Sequence, residues 1–161
     1  MMRHIKYFLF TYLLIIIQTQ GLRLLVLEGI TPDILIIWVV YIALKRGQLT
    51  ATIWGFIIGL MFDLVAGNFI GLSALTKCIA GFTAGYFFEE NKAPMTLGGY
   101  RYVLIVLVTS LIHNTIYFIA FTRGSEISLL RAIFHVGLAT TFYTAALTLL
   151  PMFAFARKYI A

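Results

Sequence analysis

The sequence predicts an all-α fold: a polytopic membrane protein built as a six-transmembrane-helix bundle. Three observations carry this expectation. Hydrophobic residues make up 61% of the 161-residue chain and charged residues only 11%. A soluble domain has roughly 45–50% and about 25%, so lipid must be the solvent for most of this surface. The apolar runs, among them LLIII, YVLIVLV and ILIIWVVYIAL, are continuous, whereas a membrane β-barrel alternates in segments of about ten residues. A helix also satisfies its own backbone hydrogen bonds, as hydrocarbon demands. Finally, the net charge of +6 includes no basic stripe interleaved with aromatics, which argues against nucleic acid and for membrane topology.

In chain order, the first span covers about residues 5–21 by hydropathy. Its start, MMRHIKYFLFTYLLIII, imitates a signal peptide, but Gln18, Thr19 and Gln20 follow where a small-x-small cleavage site is needed. The second span, about 31–44, opens with Thr31-Pro32-Asp33, read as a helix start with proline in the first turn. Its fourteen residues reach about 21 Å against a roughly 30 Å hydrocarbon core. The preceding GLRLLVLEGI is apolar but carries Arg23 and Glu28; it either lies along the outer interface or lengthens the second helix. The remaining spans are expected at about 49–66, 71–88, 101–121 and 131–155. Connections are short, the longest being EENKAPMTLGGY. Residues 1–161 therefore read as a single integral membrane domain, with no segment able to fold as a separate soluble module.

Lysine and arginine set the orientation. With the N-terminus cytoplasmic, Arg3, Lys6, Lys45, Arg46, Lys92, Arg101, Arg157 and Lys158 lie inside, and Arg23, Arg123 and Arg131 outside. Eight against three places both termini in the cytoplasm, which requires an even number of spans.

Polar groups within the spans are the candidate functional residues. In the third span Ala51, Gly55, Gly59, Asp63 and Gly67 recur every fourth residue. Each step drifts about 40° around a helix, so Gly55, Gly59 and Asp63 share an arc of about 80°. Small residues let another backbone approach closely, from the same bundle or from a different protein. Asp63 should face protein or a wet cavity, because an aspartate at a helix centre costs about 2.5–3.5 kcal/mol. With a turn centred near Asn68 and Phe69, Lys77 of the next span is an expected ion-pair partner, its stem extending toward the interface. Alternatively, Asp63 caps polar backbone in the outer turn and Lys77 meets carbonyls elsewhere. Either way the carboxylate reads as structural. His113, Asn114 and His135 read as interhelical hydrogen-bonding groups. Trp38, Trp54 and the tyrosines read as packing or interfacial anchors.

Enzymatic chemistry is not expected. The sequence holds no HExxH, no nucleophile paired with a base and no phosphate loop. The lone Cys78 excludes an internal disulfide or a cysteine metal cluster and reads as a small apolar side chain. No cofactor or metal is called for.

The run Gly55-Phe56-x-x-Gly59-x-x-x-Asp63-Leu64-x-x-Gly67-x-x-x-Gly71-x-x-Ala74-Leu75 resembles the signature region of the MreD family of rod shape-determining proteins. Pro32-Asp33-x-Leu35 and the apolar run to Tyr41 are similar to that family's second helix. The likeness is specific over about residues 30–88 and rests on hydropathy elsewhere. Lys77 lies outside the family pattern.

The resemblance implies a non-enzymatic scaffold of the bacterial cell elongation (rod) complex in the cytoplasmic (inner) membrane. It would bind an MreC-like single-span membrane protein and work, directly or indirectly, beside MreB and the RodA–PBP2 peptidoglycan synthase. It also implies a fold resembling the substrate-binding subunits of energy-coupling-factor transporters. A vitamin-binding role of that transporter type is the alternative. The bulky first helix, YFLFTYLLIII, argues against it, since those subunits resemble one another in a small-residue stripe there.

Overall fold

The computed structural model describes residues 2–21, 30–67, 69–122 and 132–160, and the elements among them are helical. They are α1 (Met2–Thr19), α2 (Ile34–Arg46), α3 (Gln48–Ala66), α4 (Leu72–Gly85), a short α5 (Ala93–Leu97) and α6 (Tyr100–Thr122). A π-helical turn, Ala132–Gly137, then leads into α7 (Leu138–Leu147) and α8 (Leu149–Ile160). The segment with Arg23 and Glu28, the loop arginines 123 and 131, and Asn68 lie outside the described residues.

Three stretches are long and apolar enough to cross a membrane: Gln48–Ala66, Tyr100–Thr122 and Ile133–Lys158. The apolar part of α1, Ile5–Thr19, is shorter. So are α2 and α4, at 13 and 14 residues. The shortness of α2 has a physical setting. Leu35, Ile36, Val39, Val40, Ile42 and Ala43 of α2 have no exposed surface at all. A helix wrapped by other helices is not obliged to match the hydrocarbon thickness that lipid-facing helices meet.

Burial explains why α2 is a helix. ILIIWVVYIALKR is rich in Ile and Val, which helices favour only weakly. Within an apolar bundle, however, the backbone must bond to itself. Around α2, the packed elements include α1, α3, α4 and α6. The Tyr102 hydroxyl of α6 donates to the Ile37 carbonyl at 3.1 Å. On one flank Trp38 stacks on Tyr41 and Tyr41 on Phe155 of α8, while Trp38 Nε1 donates to Thr11 of α1. The opposite face of α1, with Phe8, Leu9, Tyr12, Leu13 and Ile16, is exposed, as suits acyl-chain solvent.

Some boundaries depart from expectation. The second helix begins at Ile34, so Pro32 precedes the cap and is not in the first turn; Asp33 itself is the N-cap. The fourth ends at Gly85, short of residue 88. The connection EENKAPMTLGGY holds α5, started by a proline in its first turn.

Candidate functional site

Helices α3 and α4 share the largest interface in the fold, and glycine makes it possible. A Cβ on Gly55 would overlap the Lys77 carbonyl, and one on Gly59 the Ser73 carbonyl. From the other side, a Cβ on Gly81 would overlap the Ala51 carbonyl and one on Gly85 would strike Gln48. Both helices thus contribute small positions to one backbone-to-backbone seam. The glycine face is occupied within the chain, by the neighbouring helix.

Gly67 follows the seam's spacing but does not join it. Nothing lies within 4 Å of where its Cβ would be. Its role is conformational: it ends α3 with φ 69°, its N–H donating to the Asp63 carbonyl, a left-handed cap that glycine adopts without steric cost. Gly71 begins α4 at φ 100°. As an N-cap it has no side-chain oxygen to offer the first turn, where Ser, Thr, Asp or Asn usually serve.

Asp63 supplies that oxygen from the preceding helix. Its side chain is fully buried. Oδ2 accepts from Gly71 N at 2.9 Å and Ser73 N at 3.1 Å, with Ala74 N at 3.4 Å. Leu72 N donates to Phe69 O and Leu75 N to Gly71 O. Every amide at the start of α4 is therefore satisfied, and a negative charge sits where the helix dipole favours it.

The expected Asp63–Lys77 pair does not form. Lys77, 1% exposed, bonds Asp33 Oδ2 at 2.6 Å, and Asp63 is taken up by amides. The reason is topological: α2 and α4 both start at the same end of the bundle, so the carboxylate capping α2 lies level with a lysine five positions into α4. The other Asp33 oxygen caps α2, accepting from Leu35 N at 3.0 Å and Ile36 N at 3.2 Å. Gln18 of α1 bridges the entry, accepting from Ile34 N and donating to Pro32 O. Thr144 of α7 accepts from Asp33 N.

The network continues into α6. Lys77 Nζ lies 3.4 Å from His113 Nε2, and His113 Nδ1 lies 3.3 Å from Asn114 Oδ1. An ammonium only donates, so His113 Nε2 accepts and Nδ1–H donates to Asn114. The Asn114 amide donates to Thr141 Oγ1 at 2.9 Å and to the Gly137 carbonyl at 3.2 Å, where the π turn meets α7. His113 and Asn114 thus bond between helices, as expected. His135 lies on an exposed face instead. A cleft of about 170 Å³ opens beside these groups, lined in part by Gln18, Asp33, Lys77, His113, Asn114 and Tyr117.

Of the sequence candidates, Pro32, Asp33 and Lys77 meet in this polar centre, while Gly55, Gly59, Asp63 and Gly71 build the adjoining seam and cap. Gln18 and Thr144 were not singled out in the sequence. A polar side chain near the end of an apolar helix, as Gln18 is, was the available signal. Among the described residues no group of three or more His, Cys, Asp or Glu is placed to hold a metal ion.

The exposed outer surface of the seam's turn is apolar: Leu64 and Val65 close α3, and Phe69 and Ile70 follow. Comparison with known proteins adds one match. Residues 1–159 match the family described as rod shape-determining protein MreD. Neither the curated proteins nor the solved structures include a match. With a match spanning nearly the whole sequence, on a helical scaffold with several membrane-length apolar segments, the chain belongs to the MreD family of rod shape-determining proteins.

Proposed function

We propose that this chain is a non-enzymatic scaffold of the cell elongation complex in the bacterial cytoplasmic membrane, a single six-span domain with both termini in the cytoplasm. It docks an MreC-like single-span protein and through it supports the RodA–PBP2 synthase and MreB. Family membership over residues 1–159 carries the reading. The site chemistry supports it: Asp63, Asp33 and Lys77 are each engaged by backbone amides or by one another, an arrangement that holds helices in place. The partner surface is the apolar tip formed by Leu64, Val65, Phe69 and Ile70, held in shape by Asp63 behind it. A fold like that of energy-coupling-factor substrate-binding subunits belongs to the same proposal.

Affinity purification from a rod-shaped cell tests it. An MreC-like protein in near-stoichiometric yield is expected, and Phe69→Ser should reduce that yield without lowering the melting temperature. The polar cleft beside Lys77 favours a second reading, the vitamin-binding transporter subunit. Recovery of an ATPase module with a bound small molecule would establish that reading over the scaffold.

A further inference from the structure

A second cavity, of about 330 Å³, lies at the opposite end of α4, bounded by Tyr86 and Phe87, by Glu89, and by Arg101, Leu104 and Ile105 of α6. Its depth is fixed by α6. Arg101 is the second residue of a membrane-length apolar helix, so it stands at the edge of the hydrocarbon, and Leu104 sits about 4.5 Å further in. Below it, Leu104, Val108 and Leu111 form one exposed apolar stripe along α6 at i, i+4, i+7 spacing. The exposed ring of Tyr86 lines the cavity, as aromatic residues do at a membrane interface. The cavity is therefore amphipathic along the membrane normal, with charge at the rim and hydrocarbon-compatible wall beneath.

The rim carries both signs. Glu89 Oε2 is 2.5 Å from Lys92 Nζ, whereas its Oε1 is 4.0 Å from Arg101 Nη1, too far for a direct hydrogen bond. Lys92 holds the Glu89 carboxyl below the usual carboxylate range, by its hydrogen bond and then by its charge, so Glu89 is ionised at neutral pH. A guanidinium and a carboxylate oxygen thus face the cavity mouth with bonding capacity left over.

We infer that this cavity seats a phosphatidylethanolamine-type lipid, its phosphate on Arg101, its ammonium on Glu89 and an acyl chain along the Leu104–Val108–Leu111 stripe. The headgroup chemistry discriminates. Guanidinium pairs with phosphate through parallel N–H donors. A primary ammonium donates to Glu89 Oε1 as a charged donor, whereas a choline has no N–H to donate and a glycerol headgroup brings only neutral hydroxyls.

The full-length protein in detergent can be titrated with phosphatidylethanolamine, phosphatidylcholine and phosphatidylglycerol of identical acyl chains, reading lipid retention by native mass spectrometry. Phosphatidylethanolamine should be retained about threefold more tightly than either, the size of one exposed charge-assisted contact. Glu89→Gln should bring it down to the phosphatidylcholine level, Arg101→Gln should weaken both alike, and Lys158→Gln should leave the preference intact. Equal retention of the three lipids, a preference that survives Glu89→Gln, or tightest retention of phosphatidylglycerol would each overturn the assignment. Glycerophosphoethanolamine competing as well as the intact lipid would also overturn it, because the apolar stripe would then contribute nothing.

Discussion

A carboxylate inside a membrane bundle must find its donors within the protein, and Asp63 finds them in the first turn of α4. Its removal therefore acts on another helix. In Asp63→Asn one carbonyl oxygen remains to accept, but the new NH₂ faces amide donors; a loss of about 1–2 kcal/mol is expected, the size of a lost cap. Asp63→Leu leaves several buried N–H groups unpaired, at about 1–3 kcal/mol each, so its melting temperature should fall well below that of Asp63→Asn. Equal effects in a thermal unfolding assay would rule out the capping role. Lys77 obeys different arithmetic. Lys77→Met strands Asp33 beside His113, and breaking a buried pair from one side costs about 3–5 kcal/mol. Adding Asp33→Asn, which keeps an oxygen for the Leu35 and Ile36 amides, should recover a large part of that loss. A double variant whose loss equals the sum of the losses of Lys77→Met and Asp33→Asn alone would show that the two groups are not coupled.

At the scale of elements, the seam between α3 and α4 is set by four glycines, two on each helix. Substituting Gly55, Gly59 or Gly81 by valine drives side-chain carbon into a carbonyl of the facing backbone, and the helices can relieve it only by separating. Each should destabilise by several kcal/mol, at or above the roughly 1–3 kcal/mol of ordinary overpacking. Gly67→Ala meets no atoms and should cost only the strain of a left-handed residue, about 1–2 kcal/mol. A denaturant series that ranks Gly67→Ala with the other three would contradict the seam. Much of this element was legible, because the fourfold spacing of Ala51, Gly55, Gly59 and Asp63 encodes a face, and the short loop to α4 makes the facing helix the nearest partner. Asp63 as a cap was one of two open readings; deciding between them required knowing that Gly71 leaves α4 without an oxygen of its own. The Lys77 partner was not legible, since Asp33 lies 44 residues away and meets it only once α2 and α4 are laid side by side. Gln18 and Thr144 escaped for the same reason: their bonds run to backbone amides of a different helix, which no side-chain pattern announces.

For the whole molecule, the short α4 decides how the chain is threaded. At 14 residues it rises about 21 Å, less than the roughly 30 Å of bilayer hydrocarbon, yet the proposed six-span threading requires it to connect opposite faces. The two ends of α4 differ in chemistry as a crossing requires. One bears the apolar turn with Phe69 and Ile70, and the other bears Glu89, Glu90 and Lys92 near Arg101. Apolar flanking residues, Phe69 and Ile70 at one end and Tyr86 and Phe87 at the other, extend its apolar length. The proposed orientation, by positive charge, has the second end face the cytoplasm. Single-cysteine labelling separates the possibilities, because Cys78 is the one native thiol and Cys78→Ser removes it. On that background Phe69→Cys and Glu90→Cys place thiols at exposed positions with only α4 and its flanking turns between them. A membrane-impermeant maleimide applied to intact spheroplasts should label Phe69→Cys and reach Glu90→Cys only after permeabilisation. The reverse pattern would invert the chain while keeping the crossing. Labelling of both from one side would mean that α4 does not cross, and with it the even number of spans and the shared location of the two termini would fall.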